Sequence, residues 1–277
     1  MIETQTSPKP RLEWDAIVRQ AAAIVRGYDT SVTLRQLYFR LVAAGTLPNS
    51  TTAYKTLSSV TAEARRRGTF PALIDRTRTI HRYETFSGAA DARAWLASIY
   101  RRDRTEDQAV SLYLGVEKNG IVEQLQAWFG ALGLPVLALG GYSSQSYVEE
   151  VRAEIEGQDR PAALIYAGEF DASGEDIDRD FRARVGGFVE VVRVALDAAQ
   201  VEAYDLPPQP GKATDPRAGA FVTRHGELVQ VELDALAPEV LRGLYAEAIG
   251  RYWDTSAYRQ SVEREERDRG ELARTNP

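Results

Sequence analysis

Two apolar runs in the second half of the chain end in the same way, and that ending constrains the fold more than any other feature. Ala109-Val-Ser-Leu-Tyr-Leu-Gly-Val116 stops at Glu117-Lys118-Asn119-Gly120, and Ala162-Ala-Leu-Ile-Tyr-Ala-Gly168 stops at Glu169-Phe170-Asp171-Ala172-Ser173-Gly174. Both runs have the length of a strand and read as buried on both faces. Side chains two apart in a strand share a face, so Glu169 and Asp171 project together. Adjacent carboxylates repel unless a cation sits between them, and Mg²⁺ prefers hard oxygen ligands of this kind. Two strands that both terminate in acid predict one shared acidic site.

From residue 109 onward, strand-like and helix-like segments alternate. Strands are expected at 110–116, 134–139, 162–168 and 189–194, and helices near 120–130, 145–156 and 174–184. The alternation predicts an α/β fold with a parallel sheet flanked by helices. Ligands of such sheets bind beyond the carboxyl ends of the strands, where Glu117, Glu169 and Asp171 fall. Pro and Gly make 207–217 a loop, and helices are expected at 238–252 and 256–272. The mixed charges of Arg259–Arg269 read as a solvated helix face, as do Glu175, Asp176, Asp178 and Asp180.

The first half has a different rhythm. Apolar residues at helical spacing predict helices over 13–26, 33–42 and 50–67. Ser31 or Thr33 caps the second, which stops near Gly45. The third ends in Arg65-Arg66-Arg67-Gly68, with cations on its C-terminal turn and Gly at C′. Short strand-like stretches follow at 70–75 and 78–83. Three helices and a small hairpin are the order of a winged helix-turn-helix. This predicts a DNA-binding domain over 1–106, including a connecting helix at 89–102, and a second domain over 107–277, with 103–107 at the junction.

The net charge of −6 conceals an asymmetry: residues 1–106 carry 17 Lys+Arg against 10 Asp+Glu, and the remainder carries 17 against 30. A basic module beside an acidic one suits a nucleic-acid partner. The absence of cysteine excludes disulfides and thiolate zinc sites, and two histidines, His81 and His225, leave little scope for a His-based cage. No apolar run approaches the roughly 20 residues that span a bilayer. The N-terminus lacks the layout of a secretory signal. A cytoplasmic protein with no membrane partner is expected, nucleoid-associated in a prokaryote.

Glu117-Lys118-Asn119-Gly120, Gly140-Gly141-Tyr142-Ser143-Ser144 and Glu169-Phe170-Asp171-Ala172-Ser173-Gly174 together resemble a TOPRIM domain, the metal-binding α/β module of topoisomerases, primases and some nucleases. The Glu-Lys pair and the Gly-Gly-Tyr turn look closest to the A subunit of topoisomerase VI and its meiotic double-strand-break relatives. The resemblance implies that Glu117, Glu169 and Asp171 engage Mg²⁺, as one ion or two. In that family an Asp stands where this chain has Glu169. The family also places a winged helix before TOPRIM, with an Arg-x-hydrophobic-Tyr-Tyr motif whose second Tyr attacks the DNA phosphate. The matching stretch is Arg35-Gln36-Leu37-Tyr38-Phe39, so Phe39, which has no hydroxyl, occupies the nucleophile position. The resemblance covers roughly residues 30–195.

It implies a Mg²⁺-dependent protein that cleaves double-stranded DNA, acting as a homodimer, with any ATPase on a separate polypeptide. Carboxylate-held Mg²⁺ would neutralise the phosphodiester oxygens, Glu117 would move a proton, and Arg35 would stabilise developing charge. Lys118 would contact phosphate. Arg35, Lys55, Arg65, Arg66 and Arg67 are the expected DNA contacts, although the arginine run is equally a helix C-terminal charge cluster. Tyr38 and Phe39 also read as core aromatics. Two alternatives stand beside this reading: a hydrolytic TOPRIM nuclease that never uses tyrosine, and a catalytically inactive DNA-binding module. RNA is an alternative substrate, because metal–carboxylate chemistry does not distinguish the sugar.

Overall fold

The computed structural model describes residues 12–74 and 83–274, which belong to two compact units, Met1–Arg76 and Thr77–Pro277. The first holds α1 (Trp14–Arg26), α2 (Leu34–Ala43) and α3 (Thr51–Arg66). Thr33 starts α2 with a reciprocal capping box to Gln36, and Ser50 caps α3 through Ala53 N. Both helices stop in a Schellman motif. Gly68, at φ +70°, donates to Arg65 O while Thr69 N reaches Ala64 O. Gly45, at φ +66°, and Thr46 repeat the pattern on Val42 and Leu41. Leu37, Leu41 and Leu57 are fully buried at the centre of this unit, with Ile17, Ala21 and Val25 of α1 around them.

Tyr38 is a core aromatic here. Its ring is buried, and its hydroxyl accepts from Ser50 N at 2.7 Å and donates toward Ser50 O and Asn49 Oδ1 at 3.1 and 3.2 Å. It therefore ties the α2–α3 turn to α2. Tyr38→Phe should destabilise the protein by about 1 kcal/mol, because Ser50 N–H loses its partner and the exposed turn its tie to the buried ring. Chemical denaturation measures this directly. The hairpin expected over 70–75 and 78–83 falls mostly on residues 75–82, together with His81, outside the described residues. Ile74 makes a parallel bridge to Thr33.

The second unit is an α/β structure. Its elements are α4 (Ala89–Ile99), β1 (Ser111–Val116), α5 (Asn119–Phe129), β2 (Val136–Ala138), α6 (Gln145–Glu156), β3 (Ala162–Ala167), α7 (Gly174–Val185) and β4 (Phe188–Ala195). Then come α8 (Ala198–Ala203), β5 (Gln209–Pro210), α9 (Ala218–His225), β6 (Val229–Gln230), α10 (Pro238–Gly250) and α11 (Thr255–Ala273). Strands β2-β1-β3-β4 lie in that order and every pairing is parallel. Val116 pairs with Ala138 on one side and Ala167 on the other. Tyr113, Leu164 and Tyr166 pack against α6 and α7 through Val148, Val151, Ile177 and Phe181. The alternate residues Leu112, Leu114 and Val116 are equally buried, so the second face is covered as well. Tyr245 of α10 donates to Gly115 O at 2.6 Å and packs on Phe129 of α5.

Three expectations need correction. The connecting helix ends at Ile99 and packs against α11 within the second unit, so the division falls near residue 76 rather than 106. Residues 103–107 are pinned rather than linker-like, because Arg104 bonds Glu265 at 2.7 Å and Arg160 donates to the Thr105 hydroxyl at 3.1 Å. The face of α11 is not wholly solvated: Glu265 is 1% exposed and also pairs with Arg269. Burial pushes the Glu265 carboxyl up, but Arg104 and the Arg102 N–H outweigh it and hold it below the usual carboxylate range. The short helices α8 and α9 have no counterpart among the expected elements.

Candidate acidic site at the carboxyl ends of the sheet

The strand order makes β1 and β3 neighbours whose onward connections run in opposite directions, β1 to β2 and β3 to β4. That is a topological switch point, the crevice where parallel sheets bind ligands. Glu117 follows β1 and Glu169 follows β3, so both stand at this crevice. Glu117 N donates to Ala167 O at 3.0 Å, and the Glu117 carboxylate accepts from Glu169 N at 2.8 Å. Burial raises the Glu117 pKa above its ordinary value; the Glu169 N–H opposes this and the Asp171 charge adds to it.

Asp171 performs a different local task. One of its oxygens accepts from Ser173 N, Ser173 Oγ and Gly174 N at 2.9, 2.9 and 2.6 Å, closing the turn that opens α7. Gly174 is required by the same turn, since a Cβ there would overlap the Glu169 carbonyl. The Glu-x-Asp-x-x-Gly spacing is thus a compact turn that sets Glu169 against β1 and aims α7.

Two acids at this site are not among the residues expected from sequence. Phe170 and Val231 exchange backbone hydrogen bonds of 3.1 and 2.9 Å, which carries Glu232 to the crevice. Lys118 ion-pairs with both Glu169 and Glu232. Asp234 is buried and its charge adds to those acting on Lys118. Burial works against the Lys118 ammonium, yet Glu169, Glu232 and Asp234 outweigh it and raise its pKa. Burial and a hydrogen bond to Glu232 push Glu169 up to about 8, with Lys118 opposing. Glu169, Glu232 and Asp234 thus act on Lys118, while Asp171, Lys118 and Arg193 act on Glu117. The signal for the missed pair is the alternation Val229-Gln-Val-Glu-Leu-Asp234, which repeats the acid-x-acid spacing.

Arg193, on β4, braces the turn. It donates to Glu169 O at 2.7 Å, Gly174 O at 3.2 Å and Leu196 O at 3.2 Å, and pairs with Asp178 at 3.3 Å over the Tyr166 ring. Arg193→Met should cost about 2 kcal/mol in denaturant titration, because carbonyls and a carboxylate lose a charged donor in a half-buried place. The α7 acids are therefore not a solvated face. Asp178 pairs with Arg193, Glu175 with Arg224 and His225 at 2.7 Å each, and Asp176 accepts from Tyr142 at 2.6 Å. His225 packs against the Phe170 and Phe221 rings, which also touch each other. Tyr142 is 52% exposed and carries Arg217 over its ring.

Among the described residues, no group of three or more His, Cys, Asp or Glu side chains is placed to hold a metal ion. Lys118 stands between the two glutamates instead. Glu117, Glu169 and Asp171 are hard oxygen donors partly withdrawn from water, the ligand type that a divalent cation takes.

The expected DNA contacts sit in the first unit, apart from Lys118. Arg35, Lys55, Arg65, Arg66 and Arg67 are exposed, Arg66 pairs with Glu63 at 2.7 Å, and Arg35 lies 5.3 Å from the Phe39 ring centre. Phe39 is half-buried on α2 beside Tyr38. Among the described residues no helix is long and apolar enough to cross a membrane. Compared with known proteins, the chain matches no family model, and no curated protein matches it.

Proposed function

We propose that this chain is a Mg²⁺-dependent DNA-cleaving protein of the topoisomerase VI type, with a TOPRIM-like second unit and a winged-helix first unit. The observation that carries this reading is the pairing of Glu117 and Glu169 across the β1–β3 switch point, with Asp171 two residues on. Glu117, Glu169 and Asp171 would hold Mg²⁺, which supplies charge neutralisation at the phosphodiester. Glu117, already biased toward protonation by burial, is suited to hold or release a proton at the reacting oxygen. Lys118 leaves one glutamate to meet the DNA phosphate, and Arg193 keeps the Glu169 turn fixed. Phe39 makes the cleavage hydrolytic. A homodimer supplies one site per strand of a duplex.

The test is incubation of the full chain with supercoiled plasmid and Mg²⁺ or EDTA, with gels run with and without protease. Nicked or linear DNA that needs Mg²⁺ and no protease step is expected. Intact plasmid across Mg²⁺ and Mn²⁺ concentrations would overturn the enzymatic reading, and DNA released only by protease would overturn its hydrolytic part. A second reading, a DNA-binding module without catalysis, is favoured by one observation: Lys118 already neutralises the glutamates that a metal would use.

Duplex affinity should fall steeply with salt, because each neutralised phosphate releases counterion. Replacing Arg65, Arg66 and Arg67 together by Ala should reduce the magnitude of the slope of log K against log salt by about 2–3. Fluorescence anisotropy across a salt series checks this, and an unchanged slope would remove the cluster from the interface.

A further inference from the structure

We propose that the cleft between α2 and the start of α3 holds one unstacked nucleotide of a DNA strand. The inference rests on the DNA-binding reading and adds to it a second kind of recognition. The cleft has a volume of about 270 Å³, just below the roughly 300–1,000 Å³ typical of small-molecule sites. That is room for a single small ligand.

Its walls are aromatic. Phe39 and Tyr54 line it, and buried Tyr38 stands behind both, edge-on at 5.3 and 5.2 Å between ring centres. The Tyr38 hydroxyl holds Ser50 and Asn49, so the polar lip of the cleft is fixed before any ligand arrives. Among the described residues of the lining, Arg35, one turn before Phe39 and with its guanidinium over that ring, is the charged one. Aromatic rings, the Arg35 cation and the Asn49 amide at the lip together match a base, one phosphate and the base edge. Aromatic faces hold bases with little regard to sequence. The unit around the cleft is basic, with 11 Lys+Arg against 6 Asp+Glu over residues 1–76, which favours an anionic ligand. The arginine cluster lies at the other end of α3, about 20 Å away at 1.5 Å per residue, so the two kinds of contact are separable.

The test uses the full chain and anisotropy of a short 5′-phosphorylated oligothymidylate, in parallel with a labelled duplex. Competition by dTMP but not by deoxyribose 5-phosphate or inorganic phosphate is expected, because the base supplies the contact. Tyr54→Leu should weaken oligothymidylate binding about 10-fold or more, whereas Tyr54→Phe, which keeps the ring, should retain it. A melting curve for each variant verifies the fold. Arg35→Gln should erase the preference for a 5′-phosphorylated over an unphosphorylated strand. Equal affinity of Tyr54→Leu and wild type, or competition by inorganic phosphate as strong as by dTMP, would overturn the proposal. Duplex binding without oligothymidylate binding would overturn this inference alone. Failure of both probes would overturn the DNA-binding reading with it.

Discussion

Lys118→Met is expected to destabilise the protein by about 3 kcal/mol in EDTA, and to be the variant that Mg²⁺ rescues most. The lysine is the cation between Glu169 and Glu232, and Asp234 also acts on it. Methionine fills much the same volume but leaves those carboxyls without their counter-ion. Taking one partner from a buried ion pair costs more than the pair contributes, because the remaining charge stays out of water. Burial already raises the Glu169 pKa and Lys118 opposes it, so loss of the lysine favours the neutral carboxyl and keeps the cost at the low end of the usual range. If the same oxygens take Mg²⁺, the ion faces no competing ammonium in the variant. Its stabilisation then follows RT ln(1 + [L]/Kd), about 2.7 kcal/mol at 100 times Kd. Urea unfolding with EDTA and with millimolar Mg²⁺ gives both numbers. Equal Mg²⁺ stabilisation of variant and wild type would remove the lysine from the metal's site, and a loss below about 1 kcal/mol would show the ion pair to be solvated.

Much of the second unit is legible in the sequence because its signals are local and mutually consistent. The run 162–168 is apolar on both faces, and β3 spans Ala162–Ala167. The helix expected near 145–156 is α6, Gln145–Glu156, which Ser144 caps and Gly157 ends. What stays hidden is set by contacts distant in sequence. Glu232 reaches Glu169 through a single bridge between Phe170 and Val231, and an isolated bridge has no periodicity of its own. The alternation at 229–234 is visible, but its pairing partner is not. The role of Lys118 is obscured for a related reason. Beside Glu117 alone it reads as a phosphate contact; in the fold it faces Glu169 and Glu232, which arrive from two other segments. Likewise Asp178 reads from sequence as one more acid on a solvated helix face until Arg193 of β4 is placed opposite it. The junction at 103–107 looks like a linker by composition, yet its arginine meets a glutamate 161 positions later.

Glu117→Gln should lower Mg²⁺-dependent cleavage by at least about 100-fold while leaving the protein as stable as wild type or more so. The two effects have one cause. Glutamine keeps an oxygen able to accept from Glu169 N, so the link between the β1 end and the Glu169 turn survives. It removes a charge that burial and Asp171 already disfavour, so the metal-free protein gains up to about 1 kcal/mol. A residue kept for packing would behave in the opposite way, losing stability with no specific effect on a reaction. Asp171→Asn is the companion variant, since asparagine retains an acceptor for the Ser173 and Gly174 N–H groups that Asp171→Ala would abandon. Plasmid cleavage and urea unfolding of both variants decide the matter together. Cleavage within twofold of wild type in Glu117→Gln would take Glu117 out of the chemistry, and a loss of more than about 1 kcal/mol would mark its carboxylate as a structural acceptor.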